Sequence, residues 1–481
     1  MRQLAGESVI YGLSGVIARF LSVWLTPVYT RLFAPEEYGV MGLVTATIAL
    51  LQTFASLALD NAASRWYWDA TDERDRRRPF ATWTATQFAV ATVLALTMIA
   101  LAEPLSRWIV GDVGLARWFR IVALTLPTSV ASSVAMTWLR VNRRPWPAVG
   151  YSVGTTVVQI AVTLFLVAGL RWGLLGVYVA QVVTGVVGVV AALVLCGPAM
   201  TPRLFDRQLL RDMLRFSAPL IPAAVAVWAV SSIDRFFVQR YVSTSEVGIY
   251  SIGMAIASLV TLIVSAFQQA WAPFALSIHR EPDAHQTYSA VFLLYCGGCA
   301  VGVAALSLLA PYGILVLATP AYARASLVVG AMAMSYVLLG LASIAMIGFA
   351  IARVTGPNAL AVGVSSICVI GLNALLVPRY GMIGSAIASV IGQAAQPAFL
   401  LWRARTIYPI PFPVTRGMLA LSSAMVLVVI GEVVLPRDGW TAFAVRVAAI
   451  LLMAPILLAL RVVTPAQLKA LRARLAPATT R

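Results

Sequence analysis

Fourteen times along this chain, about twenty mostly apolar residues run together before a polar, Gly or Pro cluster interrupts them. The runs lie near 8–29, 39–62, 80–102, 119–139, 148–169, 174–196, 216–239, 247–270, 287–310, 325–351, 358–377, 382–402, 415–434 and 440–462. Twenty helical residues rise about 30 Å, the thickness of a bilayer's hydrocarbon layer. Within that layer only helices and closed barrels satisfy every backbone N–H and C=O. The runs are about twice as long as barrel strands and lack strict apolar–polar alternation. The predicted fold is therefore all-α: a polytopic membrane protein of about 14 transmembrane helices. Composition agrees, with 60% hydrophobic and 11% charged residues, where a soluble domain has about 25% charged.

The net charge is +17. The Arg residues sit between the apolar runs and not on one patch, so no nucleic-acid partner is expected and the excess reads as membrane topology. With the N-terminus in the cytoplasm, inward segments carry 23 of the 35 Arg and Lys residues and outward segments carry 9. The remaining three, Arg19, Arg235 and Arg446, fall within spans. This places both termini in the cytoplasm. No cleavable signal peptide is read in the first run, which contains Arg19 and Pro27 and lacks a small-residue cleavage site. The outward segments are too short for a catalytic domain, and no phosphate loop or nucleophile elbow is present. An enzyme is not expected, nor is ATP use or a cofactor. Cys296 and Cys299 have a C-x-x-C spacing without a second pair or nearby His, and with Cys196 and Cys368 they read as buried thiols. The two histidines, His279 and His285, share one polar loop, so no metal site is expected.

The chain repeats itself. Arg31, Glu37 and Gly39 recur as Arg240, Glu246 and Gly248, each 209 residues later. Arg171-Trp-Gly173-Leu-Leu-Gly176 recurs as Arg379-Tyr-Gly381-Met-Ile-Gly384, 208 residues later. Six spans separate the copies, so both have the same orientation. This predicts two six-helix lobes in parallel repeat, with a substrate path between them. The expected segments are 1–200 (spans one to six), 201–405 (seven to twelve), 406–463 (two added spans) and a basic cytoplasmic tail at 464–481.

Tyr29-Thr-Arg-Leu-Phe-Ala-Pro-Glu-Glu-Tyr-Gly-Val-Met-Gly-Leu43 resembles the first outer loop of polysaccharide-biosynthesis, O-antigen-type flippases. These belong to the multidrug/oligosaccharidyl-lipid/polysaccharide exporter superfamily. Ser231-Ser-Ile-Asp-Arg-Phe-Phe-Val238 resembles that family's seventh helix, and Gln268-Gln-Ala-Trp-Ala-Pro-Phe274 the end of its eighth. The resemblance implies a central cavity and transfer of a polyprenyl-pyrophosphate-linked oligosaccharide across the bacterial cytoplasmic membrane by alternating access. It implies an anionic lipid-linked saccharide and membrane lipids as partners, glycan-assembly proteins as further ones, and a Na⁺ or H⁺ gradient or the membrane potential as driving force. It also implies that the two added spans flank a groove for the lipid tail, as in lipid II flippases.

Several residues are candidates for substrate binding. Arg19 lies near the middle of the first span, where a charge normally faces a water-filled cavity or a partner. It reads either as a pyrophosphate anchor, through its bidentate fork, or as half of a structural ion pair. Asp234 and Arg235 are adjacent on a helix and point about 100° apart, so each needs its own partner. They read as cavity-lining groups, with Asp234 available to a cation, or as an interlobe ion pair. Asp60, Asn61 and Arg65 stand beside Trp66, Tyr67 and Trp68, and the repeat aligns Asp60 with Gln269, which has Gln268 and Trp271 close by. These groups read as a sugar-facing surface or as an interfacial aromatic belt. Pro27, Pro219 and Pro222 lie in the leading span of each lobe, as gating kinks or as ordinary membrane prolines. An ion-coupled multidrug or metabolite exporter is the alternative reading. Such a protein uses a buried acid in its first helix, where this chain has Arg19.

Overall fold

The computed structural model describes residues 25–354, 356–436 and 439–462. Among them the secondary structure is helical, without strands. The first unit contains α1 (Thr26–Leu32), α2 (Pro35–Ser56), α3 (Leu59–Asp69), α4 (Glu73–Ala100), α5 (Ala102–Ile109), α6 (Ala116–Ala123), α7 (Thr125–Val141), α8 (Pro145–Thr163), α9 (Leu174–Cys196), α10 (Arg207–Ser217) and α11 (Ile221–Tyr241). Helix α12 (Thr244–Ala257) straddles the unit boundary. The second unit holds α13 (Val260–Ser277), α14 (Ala284–Leu317), α15 (Ser326–Ala345), α16 (Ile347–Ile351), α17 (Gly356–Ile407), α18 (Val414–Val433), α19 (Trp440–Leu451) and α20 (Met453–Ala459).

Eleven described helical segments are long and apolar enough to cross a membrane, or twelve if α12 and α13, bent by 45°, form one span. The difference from fourteen runs has two sources. The first run lies largely outside the described residues, and with it Arg19. The eleventh and twelfth runs both fall in α17, whose 52 residues would measure about 78 Å if straight, more than twice the hydrocarbon thickness. The helix breaks at Gly381, with φ 54° and ψ −136°. Its repeat counterpart Gly173 has φ 59° and ψ −139° just before α9. Both values lie in a region open to glycine, so the second repeated motif encodes the same sharp reversal twice.

The compact units are Met1–Ser251 and Ile252–Arg481. They do not coincide with the repeat copies, because α11 packs on α2, and α10 packs on α3 and α4. Within the first unit, α9 packs on α7 and α8, and α4 on α7. Within the second, α15 lies against α13, α14 and α17 and is the most buried span. Large apolar side chains such as Val194, Ile367 and Val433 remain 79%, 73% and 77% exposed. A surface that apolar is stable only against lipid.

The first repeated motif makes a helix start and a close crossing. Pro35 opens α2, where its missing N–H costs nothing. Glu37 accepts the Ala34 N–H at 3.0 Å, satisfying one orphan donor. In the second copy the Ser243 hydroxyl accepts the Glu246 N–H at 3.2 Å. The glycines then meet. A Cβ placed on Gly39 would lie 1.9 Å from the Thr244 carbonyl oxygen, and one on Gly248 would lie 1.9 Å from the Pro35 carbonyl oxygen. Each glycine thus touches the residue that corresponds, 209 positions away, to the one its partner touches. The contact is reciprocal, as across a local two-fold axis.

The added spans pack on α14. Arg446 on α19 is fully buried. It donates to the carbonyls of Pro436 at 3.0 Å, Leu308 at 3.0 Å and Gly431 at 2.9 Å. Gly431 belongs to the last turn of α18, whose carbonyls have no partner within the helix. The guanidinium joins three elements by saturating carbonyls at the negative end of a helix dipole. The basic tail expected at 464–481 lies outside the described residues.

On the predicted inward side, the charged residues 72–78 cap and begin α4. Asp72 caps the helix by accepting the Asp75 N–H at 2.6 Å. Arg78 pairs with Asp75 at 3.2 Å and with Asp206. Asp206 caps α10 through the N–H groups of Gln208 at 2.8 Å and Leu209 at 3.0 Å. The Asp206 N–H also donates to the Thr82 hydroxyl at 3.1 Å. The Leu209 N–H first, with Arg78 and the Gln208 N–H adding, holds the Asp206 carboxyl below the usual carboxylate range. Its contribution to stability is complete above the ordinary carboxylate value of about 3.9 and is lost as pH falls through the lowered one. Asp206→Asn is therefore expected to lower the thermal midpoint at pH 7. The gap from the parent should close toward pH 2, as followed by unfolding in detergent.

Candidate functional site

A cavity of about 490 Å³ opens inside the Met1–Ser251 unit. Among the described residues, every side chain lining it is uncharged. Helix α2 contributes Thr45 and Gln52. Helix α7 contributes Thr125, Thr128, Ser129 and Ser132. Helix α8 contributes Thr155, Thr156 and Gln159, and α9 contributes Gln181, Thr184 and Gly185. The α7 set falls at i, i+3, i+4 and i+7, one face of a helix. In a membrane bundle such a polar face must point at protein or water. Gly185 lets α9 come close here, since a Cβ on it would lie 2.4 Å from the Thr128 hydroxyl oxygen.

The hydrogen bonds give the cavity a definite polarity. Thr125 donates to the Val122 carbonyl at 2.6 Å, Thr128 to that of Thr125 at 3.1 Å and Ser129 to that of Leu126 at 2.7 Å. Thr155 donates to the Tyr151 carbonyl at 2.8 Å and Thr156 to that of Ser152 at 2.8 Å. Each hydroxyl proton is spent on its own helix, which leaves the oxygen lone pairs available. The Ser132 and Tyr151 hydroxyls share a bond of 2.7 Å. The Thr184 hydroxyl is buried without a hydrogen-bond partner among the described residues.

The residues expected from sequence fall into separate environments. Asp234 on α11 is buried. Its Oδ2 accepts the Tyr250 O–H at 2.7 Å, and its Oδ1 accepts the Arg235 N–H at 2.8 Å. The carboxylate thereby ties α11 to α12. Arg235 is half-buried and passes α2 beside Gly42. Asp60, Asn61 and Arg65 share α3, beyond a break at Leu57 and Ala58, both left-handed with φ 47° and 51°. The Asn61 amide donates to Asp60 at 3.3 Å. Arg65 lies over the Phe216 ring at 5.2 Å, and Trp66 meets the same ring edge-on at 5.7 Å. Tyr67 is buried against Phe80 and Trp138, while Trp68 is exposed.

In the second unit Gln268 is half-buried and Gln269 is exposed, with the Gln269 amide donating to the Ser265 carbonyl at 3.2 Å. Trp271 is buried in an aromatic cluster with Phe267, Phe274 and Tyr288. Pro27 lies in the first turn of α1 as described. Pro219 sits in the 3-10 turn Ala218–Leu220 and Pro222 in the first turn of α11, so both mark the joint between α10 and α11 within the segment Arg207–Tyr241. The sequence reading missed the hydroxyl cavity. The signal was there in the α7 polar spacing, hidden because Thr and Ser also occur in membrane helices without a ligand.

An apolar outer surface around a helical bundle with an internal polar cavity defines a multi-pass membrane protein with a transporter-like architecture. Residues 28–295 match the family described as polysaccharide biosynthesis protein, over half of the chain, and the chain belongs to that family. It is 25% identical over 244 residues to the succinoglycan biosynthesis transport protein ExoT of Rhizobium meliloti (strain 1021). That match covers 50% of this chain and 46% of the relative, so the chain spans about half the length of the curated relative it matches. Among solved structures, the inward closed conformation of the lipid II flippase MurJ superposes with a TM-score of 0.66 at 15% identity, covering 93% of this chain and 98% of that one. An inward-facing multidrug resistance MATE family transporter of the MOP superfamily gives 0.62 at 16% identity, covering 87% and 95%. At these identities the likeness is one of fold.

Proposed function

We propose that the protein is a flippase that transfers a polyprenyl-pyrophosphate-linked oligosaccharide, a polysaccharide precursor, across the bacterial cytoplasmic membrane by alternating access. The observation that carries this reading is a cavity of about 490 Å³, lined by hydroxyls and amides, within the membrane-spanning helices of a polysaccharide biosynthesis protein. A purely lipidic cargo needs no such lining, and a sugar does. The printed role of the Rhizobium relative, succinoglycan biosynthesis transport, supports a glycan cargo. Arg19 is the proposed pyrophosphate anchor. A Na⁺ or H⁺ gradient or the membrane potential is the proposed driving force, and both termini are assigned to the cytoplasm.

The test is reconstitution in liposomes with a labelled polyprenyl-pyrophosphate oligosaccharide, measuring transfer between leaflets. Transfer by the parent is expected, with a drop of about a hundredfold for Arg19→Ala if its guanidinium makes two charge-assisted bonds to phosphate. A folded parent that moves no such lipid, with or without an ion gradient, overturns the reading.

A further inference from the structure

We propose that the cavity inside the Met1–Ser251 unit is a saccharide subsite that selects uncharged, hydroxyl-bearing sugars over uronates and other acidic sugars. The inference rests on the flippase reading and adds to it the class of glycan accepted. It starts from the direction of the hydrogen bonds. Thr125, Thr128, Ser129, Thr155 and Thr156 all donate backward to carbonyls of their own helices. At these five residues an occupant meets acceptor lone pairs, joined by the amides of Gln52 and Gln181.

A sugar hydroxyl meets these lone pairs as a donor, and the two amides supply N–H groups for its oxygens. A carboxylate has only lone pairs to offer, so it could use the few N–H and O–H donors but none of the acceptors. It would also bring a full negative charge among membrane-spanning helices where none of the described lining residues carries a compensating one. Size points the same way. About 490 Å³ is within the roughly 300–1,000 Å³ of small-molecule sites and far exceeds the oxygen shell of a single metal cation. The buried Thr184 hydroxyl, unpartnered among the described residues, marks a further position where an occupant would complete a bond.

The experiment compares two polyprenyl-pyrophosphate lipids in reconstituted liposomes, one bearing a neutral hexose oligosaccharide and one the same glycan with a terminal uronate. Alongside, binding of the two free oligosaccharides to the purified full chain is read by saturation-transfer NMR. The variants are Thr128→Val with Thr156→Val, and separately Gln181→Leu. Each keeps side-chain size, and thermal unfolding checks the fold.

The neutral lipid is expected to move at least about tenfold faster than the uronate. Each variant should lose about tenfold in neutral transfer, as expected for one or two missing hydrogen bonds. Equal transfer of both lipids, or full transfer by folded variants of an active parent, overturns the subsite and leaves the flippase. A parent that moves neither lipid but binds the neutral sugar, with binding lost in the variants, keeps the subsite and overturns the flippase. A folded parent that neither moves nor binds either glycan overturns both.

Discussion

Alanine at Gly39, or at Gly248, is expected to destabilise the protein severely, with near-equal effects at the two positions. Each new Cβ would sit 1.9 Å from a backbone carbonyl oxygen. No side-chain rotation relieves such a clash, so α2 and α12 must separate. Overpacking of side chains costs roughly 1–3 kcal/mol, and a backbone collision between rigid helices should reach about 3 kcal/mol or more. Small residues at such crossings are what let membrane helices approach closely. The measurement is the thermal midpoint in detergent, with Gly150→Ala as control, because a Cβ there meets open space. A Gly39→Ala protein that unfolds with the control would mean that the crossing is not a fixed contact.

The second large effect is expected at Arg446. Leucine there leaves the carbonyls of Pro436, Leu308 and Gly431 without the donor that reaches them at 2.9–3.0 Å. Each buried carbonyl left without its donor costs about 1–3 kcal/mol, offset in part because the removed charge no longer has to be desolvated. Lysine restores the charge but not the fork that reaches several carbonyls at once, so Arg446→Lys should recover only part of the loss. Limited proteolysis should show the segment from α18 to α20 cleaved first in Arg446→Leu, because the guanidinium holds it to α14 through Leu308. A cleavage pattern and midpoint unchanged from the parent would remove Arg446 from the framework.

Part of the site was readable from residues alone, and part was not. Asp234 was recognised as a buried acid needing a partner, since an isolated carboxylate in a membrane helix is costly. That its partner is the hydroxyl of Tyr250, one helix later, is a matter of how α11 meets α12. Trp271 read as a sugar-facing group or as part of an interfacial belt, because an aromatic beside glutamines suits either. Only packing shows it among Phe267, Phe274 and Tyr288. The proline pair 219 and 222 was legible as a break, but whether it kinked a span or ended a helix depended on where α10 packed. The hydroxyl cavity was the least legible. A Thr or Ser in a membrane helix can bond to its own backbone anywhere, so its presence says little. Four helices must assemble before those oxygens share a space.

By itself the sequence determined the solvent, the helical class and the repeat. Each of these follows from local chemistry: long apolar runs need lipid, backbone groups in lipid need helices, and two recurring motifs need the same turn or crossing. The tertiary structure decided which polar groups face one another. Gly39 meets Thr244 and Gly248 meets Pro35, Arg446 reaches three separate carbonyls, and hydroxyls from α7 and α8 line one cavity. The physical reason is that an apolar run fixes how deep a helix sits but not its rotation. Rotation is set by packing against neighbours far away in the chain, and it is rotation that aims a hydroxyl, a carboxylate or a glycine face.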